Sequence, residues 1–235
     1  MFLTSKTALV TGGNSGLGLE VAKGLIKSKC KVIILGKDKA KVEKAIFDLK
    51  SNLVTSVTCD LRSQTQIEKT VQQIGDIDIL INCAGIIAYQ PLPVHDSKNI
   101  RDIIETNLLG TIYVTRSVLP TMLKKNSGTI MNISSTSGLP TGGSPNESVY
   151  VASKFGVSGF TESLKKEVDD QKKNVRILGF YPGGMNTQLF SKSGLTKDTS
   201  KFMDPAEIAK IIVFMLERPD AIKMDHVVVN RNKNL

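Results

Sequence analysis

Two hydrophobic rhythms alternate along the chain. Short runs rich in β-branched residues are followed by longer stretches in which apolar positions recur every three to four residues. The first rhythm predicts strands and the second amphipathic helices. Strands are expected at Lys6–Thr11, Lys31–Leu35, Val54–Cys59, Asp78–Asn82, Thr129–Ser134, Val175–Tyr181 and Asp225–Asn230. Helices are expected at about Gly16–Ser28, Lys39–Ser51, Gln64–Ile74, Lys98–Lys124 and Val149–Gln171. A last helix, ending near Leu216, starts at Asp204, Pro205 and Glu207, which supply a cap, a first-turn proline and an acid three residues after the cap. Asp78–Asn82 is almost wholly apolar, as suits a strand buried on both faces. Seven strands alternating with six helices imply βαβ units with right-handed crossovers. The expected fold is a single doubly wound α/β domain over residues 1–235 with a seven-stranded parallel sheet. Thr136–Ser148 and Asn186–Met203 lack strong periodicity. Both follow the carboxyl ends of strands, where such folds bind ligands.

Composition removes several classes of function. Apolar residues make up 40% and charged residues 23%, which argues against a disordered chain. The longest apolar candidate, Ile208–Leu216, is interrupted by Lys210 and falls short of a membrane span, so no membrane association is expected. The 31 Lys and Arg against 22 Asp and Glu give a net charge of +9. The bases are interleaved with acids, as in Lys37–Lys50, so no nucleic-acid stripe is expected either. The start of the sequence carries no signal-peptide pattern, which makes a cytoplasmic location the expectation. Cys30, Cys59 and Cys83 have no metal-ligand spacing and read as reduced thiols, and His95 and His226 read as surface or packing residues, so no metal is expected.

The first strand runs into Thr11-Gly12-Gly13-Asn14-Ser15-Gly16-Leu17-Gly18, and a helix follows. Glycines allow a tight turn and close approach to a pyrophosphate, while the helix start presents free N–H groups and partial positive charge. The position between the first strand and first helix of a βαβ unit is the context that gives such a turn its meaning. Tyr150 and Lys154 stand four apart on a predicted helix and so share a face. A free phenol titrates near ~10, and a neighbouring ammonium lowers that value. A drop of ~3 units would require about 4 kcal/mol. The spacing therefore predicts an acidified phenol at Tyr150.

The chain resembles the short-chain dehydrogenase/reductase family, Tyr-x-x-x-Lys type. The likeness rests on the glycine turn, Asp60-Leu61, Asn82-Cys83-Ala84-Gly85, Asn107, Asn132-Ile133-Ser134-Ser135, Tyr150-Val151-Ala152-Ser153-Lys154 and Pro182-Gly183-Gly184-Met185-Asn186-Thr187, in that order from residue 4 to about 190. It implies a Rossmann-like fold and an NADP(H)- or NAD(H)-dependent oxidoreductase that interconverts a carbonyl and an alcohol. It further implies Tyr150 as proton donor or acceptor, Lys154 on the nicotinamide ribose, Ser135 on the substrate oxygen, and the Asn107 carbonyl holding a water linked to Lys154. Ser135 lies two residues farther from Tyr150 than is usual in the family. The extra residues are placed in the loop 142–147, where insertion is cheap, and Ser137 is the alternative serine.

By the same resemblance, Gly12, Asn14, Ser15, Gly16, Leu17 and Gly18 would hold the phosphates. Asp60 and Leu61 would meet adenine, while Asn82, Ala84, Gly85, Pro182, Gly183, Met185 and Thr187 would line the rest of the dinucleotide site. Strand two ends in Leu35-Gly36-Lys37-Asp38. The family's NAD-selective acid matches Gly36 and its NADP-selective cation matches Lys37, which favours NADP. Two signals run the other way: Asp38, about twenty residues after the turn, fits an NAD fingerprint, and Ser15 stands where NADP enzymes of the family often carry a basic residue. The substrate is expected to be a small carbonyl compound or alcohol under a loop at 186–203 that offers Leu189, Phe190, Leu195, Phe202 and Met203. A 3-oxoacyl carrier-protein reductase and a non-catalytic dinucleotide sensor are the alternative functions. A homodimer or homotetramer joined through the two long helices is the family's implication for assembly.

Overall fold

A computed structural model of the chain describes residues 3–140, 142–191, 193, 198–219 and 221–232. Seven strands form one sheet: β1 (Thr7–Thr11), β2 (Lys31–Gly36), β3 (Val54–Thr58), β4 (Ile79–Asn82), β5 (Gly128–Ile133), β6 (Val175–Pro182) and β7 (His226–Val229). Their order is β3-β2-β1-β4-β5-β6-β7, and every neighbouring pair is parallel. The chain winds outward from β1 to β3, then returns to place β4 on the other side of β1. The crevice of such a sheet lies at that reversal, beyond the carboxyl ends of β1 and β4.

The flanking helices are α1 (Gly16–Lys27), α2 (Lys39–Leu49), α3 (Gln64–Ile74), α4 (Ser97–Ile104), α5 (Gly110–Lys125), α6 (Ser148–Asp170), the short α7 (Gln188–Ser191) and α8 (Pro205–Leu216). Alternation along β1 divides the core. Ala8 and Val10 point to one face with Val21 and Leu25 of α1 and Ile208 and Ile212 of α8. Leu9 points to the other with Ile67 of α3, Val114 and Val118 of α5 and Leu164 of α6. β4 is buried at all four positions, as its apolar run predicts. Asp204 caps α8 by accepting from the Ala206 N–H at 2.8 Å, and Pro205 opens the helix.

One element differs from expectation. The helix predicted over Lys98–Lys124 is interrupted at Glu105–Leu109 by one π turn, which joins α4 to α5. The turn rotates Asn107 inward, where it is buried. Among the described residues no helix is long and apolar enough to cross a membrane, and no cluster of His, Cys, Asp or Glu has the makings of a metal site. All three cysteines are free thiols.

Candidate active site

The glycine turn at the end of β1 is shaped by close packing. Gly12 adopts φ +68°, a left-handed conformation that glycine tolerates. A Cβ there would come 2.9 Å from the Ala84 Cα, and one on Gly18 would come 2.5 Å from the Gly12 carbonyl. The Thr11 hydroxyl accepts from the N–H groups of Cys83 and Ala84 at 3.0 and 3.1 Å, which ties the loop after β4 to the turn. Ser15 begins α1 without a side-chain cap, so its hydroxyl does not claim the helix's first N–H groups. Gly12, Ser15, Gly16, Leu17 and Gly18 open onto a cavity of about 1240 Å³. Ala84, Gly85, Pro182, Gly183, Met185 and Thr187 line the same cavity.

At the end of β2 the side chains discriminate between the two signals read there. A Cβ on Gly36 would lie 2.5 Å from Asn14 Oδ1 and 2.7 Å from Val42, so an acid has no room at that position. Asn14 therefore packs against Gly36. Asp38 caps α2, accepting from the Lys41 N–H at 3.1 Å, and pairs with the Lys41 ammonium. Its carboxylate is committed to the helix. Lys37 is exposed and pairs with Asp60 at 3.2 Å. Arg62 grips Asp60 as well, and this hydrogen bonding holds the Asp60 carboxyl well below the usual range. Leu61 is buried in the core against Gly110. Asn82 is buried too, its amide donating to Thr115 Oγ1 at 2.9 Å and Asn132 Oδ1 at 2.8 Å. Asn14, Lys37, Asp60, Leu61 and Asn82 thus stand outside the cavity lining, behind or beside it.

The residues expected to react come from two elements. Ser135 follows β5, whereas Tyr150 and Lys154 lie one turn apart on α6. Ser135 accepts from the Ser137 N–H at 3.0 Å and lines the cavity with Tyr150, whose phenol pKa its hydroxyl helps to hold down. Ser137 also lines the cavity. Ser134 turns away, bonding to Ser158 and to the Lys154 carbonyl. Lys154 donates from Nζ to the Ile133 carbonyl at 2.9 Å. Asn107 fixes the loop after β4 in both directions: Oδ1 accepts from the Ile86 N–H at 2.8 Å, and Nδ2 donates to the Ile86 carbonyl at 2.9 Å. Nδ2 also donates to Ser153 at 3.0 Å, one residue from Lys154. The Asn107 carbonyl accepts from the Thr111 hydroxyl at 2.8 Å.

The electrostatics correct one expectation. Burial pushes the Tyr150 phenol up to about 12, opposed by the Ser135 hydroxyl and reinforced by the charge of Glu147. Lys154 makes no hydrogen bond to the phenol in this structure. Its ammonium lies 5.8 Å from the centre of the Tyr150 ring and is aimed at the end of β5. Burial lowers Lys154 itself to about 8. Helical spacing brought the two side chains to one face, as predicted, but desolvation dominates both groups in this structure.

Sequence reasoning overlooked Thr11, Tyr89 and Glu147. Thr11 belongs to the glycine motif and was within reach of it. Glu147 opens α6 only three residues before Tyr150, yet its burial depends on the fold of the loop before it. Of the 186–203 loop, Leu189, Phe190 and Phe202 line the cavity, and Phe190 and Phe202 meet edge-on at 5.2 Å. Met203 bridges to Met185 instead, and Leu195 lies outside the described residues.

Comparison with known proteins agrees with this arrangement. The family model for short chain dehydrogenase matches residues 6–198. An uncharacterized oxidoreductase of Staphylococcus saprophyticus is 34% identical over 97% of both chains. Carbonyl reductase family member 4 of Xenopus tropicalis is 34% identical over 92% of both. Among solved structures, the closed form of a serine dehydrogenase complexed with NADP+ superposes with a TM-score of 0.87 at 25% identity, covering 95% of this chain and 94% of that one. An actinorhodin polyketide ketoreductase variant with NADPH gives 0.85 at 28% identity, covering 97% and 96%. A glycine turn at the sheet's reversal, a buried Tyr–Lys pair on α6 and a match over most of the chain make this protein a member of the short-chain dehydrogenase/reductase family of NAD(P)-dependent oxidoreductases.

Proposed function

We propose that the protein interconverts a ketone or aldehyde with its alcohol, using NADP(H), and that Tyr150 donates or accepts the proton. The observation that carries this reading is that Ser135, Tyr150 and Lys154 line the same cavity onto which the glycine turn also opens. The residues present fit a dinucleotide, because the glycine turn and the start of α1, whose first N–H groups no side chain caps, open onto the cavity.

When bound, the nicotinamide supplies or receives the hydride at the carbonyl carbon. The chain handles the proton. Ser135 holds the substrate oxygen by hydrogen bonding as negative charge develops there. Tyr150 passes its proton to that oxygen in reduction and takes one back in oxidation. A phenol held near 12 is a reluctant acid, so the cationic Lys154 must offset burial when the phenolate forms. Asn107 sets the height of the Lys154 segment through Ser153 and fixes the loop at Ile86.

NADP is favoured over NAD by three residues at the end of β2. Gly36 excludes an acid, Asp38 is spent on a helix cap, and Lys37 stands exposed with its ammonium available to share with a phosphate. The serine dehydrogenase and ketoreductase neighbours, solved with NADP+ and NADPH, support the same choice. The test is NADPH consumption with a panel of aldehydes and ketones. Wild type should turn over at least one of them, and Tyr150→Phe should lose roughly 10²-fold or more in kcat while still binding NADPH. An unimpaired Tyr150→Phe enzyme would refute the assignment.

A further inference from the structure

Glu147 and Lys154 are the two Asp, Glu, Lys or Arg side chains that are buried among the described residues. The chemistry above uses Lys154 and leaves Glu147 without a task. Glu147 is 4% exposed and occupies the N-cap position of α6, yet its side chain makes no capping hydrogen bond. The Tyr89 phenol lies close enough to feel its charge, which together with burial raises that phenol. Among the described residues no lysine or arginine pairs with it. The positive end of α6 offsets part of its charge, but a buried carboxylate ordinarily has a cationic or multiply hydrogen-bonded partner.

Its place in the site says what that partner is for. Glu147, Tyr89 and Tyr150 line one cavity, and Glu147 is the sole carboxylate among the described lining residues. Glu147 precedes Tyr150 by three residues at the start of α6, and its charge is felt by the phenol across the cavity they share. The same charge acts on the Tyr89 phenol. The cavity therefore carries a negative group that acts on the reacting phenol. We propose that Glu147 is a specificity-determining residue, and that the substrate is a carbonyl compound or alcohol bearing a cationic amino group near the reacting carbon, whose ammonium Glu147 receives. The proposal rests on Tyr150 marking where the reacting oxygen sits. It gives the carboxylate a counter-ion at the moment of binding and penalises anionic substrates in the same place.

The test uses two alcohols of nearly equal shape, 1-amino-2-propanol and 2-butanol, which differ by an ammonium in place of a methyl group. Each is titrated by calorimetry into the protein loaded with NADPH, where oxidation of the alcohol cannot proceed. Wild type should bind the amino alcohol roughly ten-fold tighter or better, a difference of about 1.4 kcal/mol. Glu147→Gln, which keeps the shape, should cut that preference to about three-fold or less. Tyr89→Phe, which removes the phenol but keeps the charge, should retain it. Equal binding of the two alcohols by wild type, no detectable binding of the amino alcohol, or an equal loss in Glu147→Gln and Tyr89→Phe would each overturn the proposal. NADP+ reduction is measured in parallel. A binding preference without NADPH formation from either alcohol would count against the Tyr150 chemistry and leave the role of Glu147 standing.

Discussion

Burial sets the protonation of the two groups at the centre of the site, and it does so against the catalytic direction. Tyr150 at about 12 and Lys154 at about 8 both favour the neutral form relative to water. For Lys154 the sign of the consequence is definite. Its folded value lies below the unfolded ~10.4, so the unfolded chain binds more protons between those two pH values. Stability contributed by Lys154 is complete above about 10.4 and is lost as pH falls toward 8. Urea unfolding of wild type and Lys154→Met should therefore diverge in favour of wild type by about 3 kcal/mol as pH rises across that window. A difference that stays flat would show that the amine is not desolvated. Ser135→Ala should lower carbonyl reduction by roughly 10²-fold or more with little change in NADPH affinity, and Ser137→Ala should cost far less. The reverse order would mean that the loop between the serines and Tyr150 is threaded differently. That Tyr150 and Lys154 share a helix face was legible in the sequence, because four residues make about one turn. Their acidities were not, because desolvation depends on what covers them.

Elements were legible where the determinants are local and hidden where they are not. The cap of α8 comes from Asp204, directly before the helix start, as its sequence predicts. The π turn at Glu105–Leu109 has no such signature, since Asn107 is held by Ile86, 21 residues earlier in the chain. A buried side chain with three hydrogen bonds is costly to remove. Asn107→Ala strands both backbone groups of Ile86 and should destabilise the protein by about 2–4 kcal/mol. At this chain length that corresponds to a Tm lower by roughly 5–15 °C. A shift under about 1 °C would show that the turn forms without the asparagine. The glycine turn is tighter still. Gly12→Ala combines a left-handed φ with a 2.9 Å approach to Ala84, so it should weaken NADPH binding in a fluorescence titration by about ten-fold or more.

At the scale of the molecule, strand periodicity and βαβ alternation led to the seven-stranded parallel sheet, and the reversal beside β1 put the glycine turn and the Tyr150 centre on one cavity. Charge at the end of β2 was readable only as a pair of competing signals, Lys37 and Asp38. The fold resolved them by giving Asp38 to α2. Cofactor choice should be visible in global stability. At equal concentrations well above either dissociation constant, a ten-fold tighter NADPH adds about 1.4 kcal/mol over NADH, or roughly 3–5 °C in Tm. Lys37→Ala should remove most of that difference, and a larger shift with NADH in wild type would reverse the NADP assignment.

Transfer of label tests the central claim most directly. NADPH carrying deuterium at both C4 positions is incubated with the carbonyl that wild type consumes fastest, and the alcohol is examined by mass spectrometry. One deuterium should appear on the carbinol carbon with wild type, and formation of that product should fall by about 10²-fold or more with Tyr150→Phe despite intact NADPH binding. Unlabelled alcohol, no alcohol from any carbonyl in the panel, or undiminished transfer by Tyr150→Phe would contradict a proton-donating phenol beside the nicotinamide.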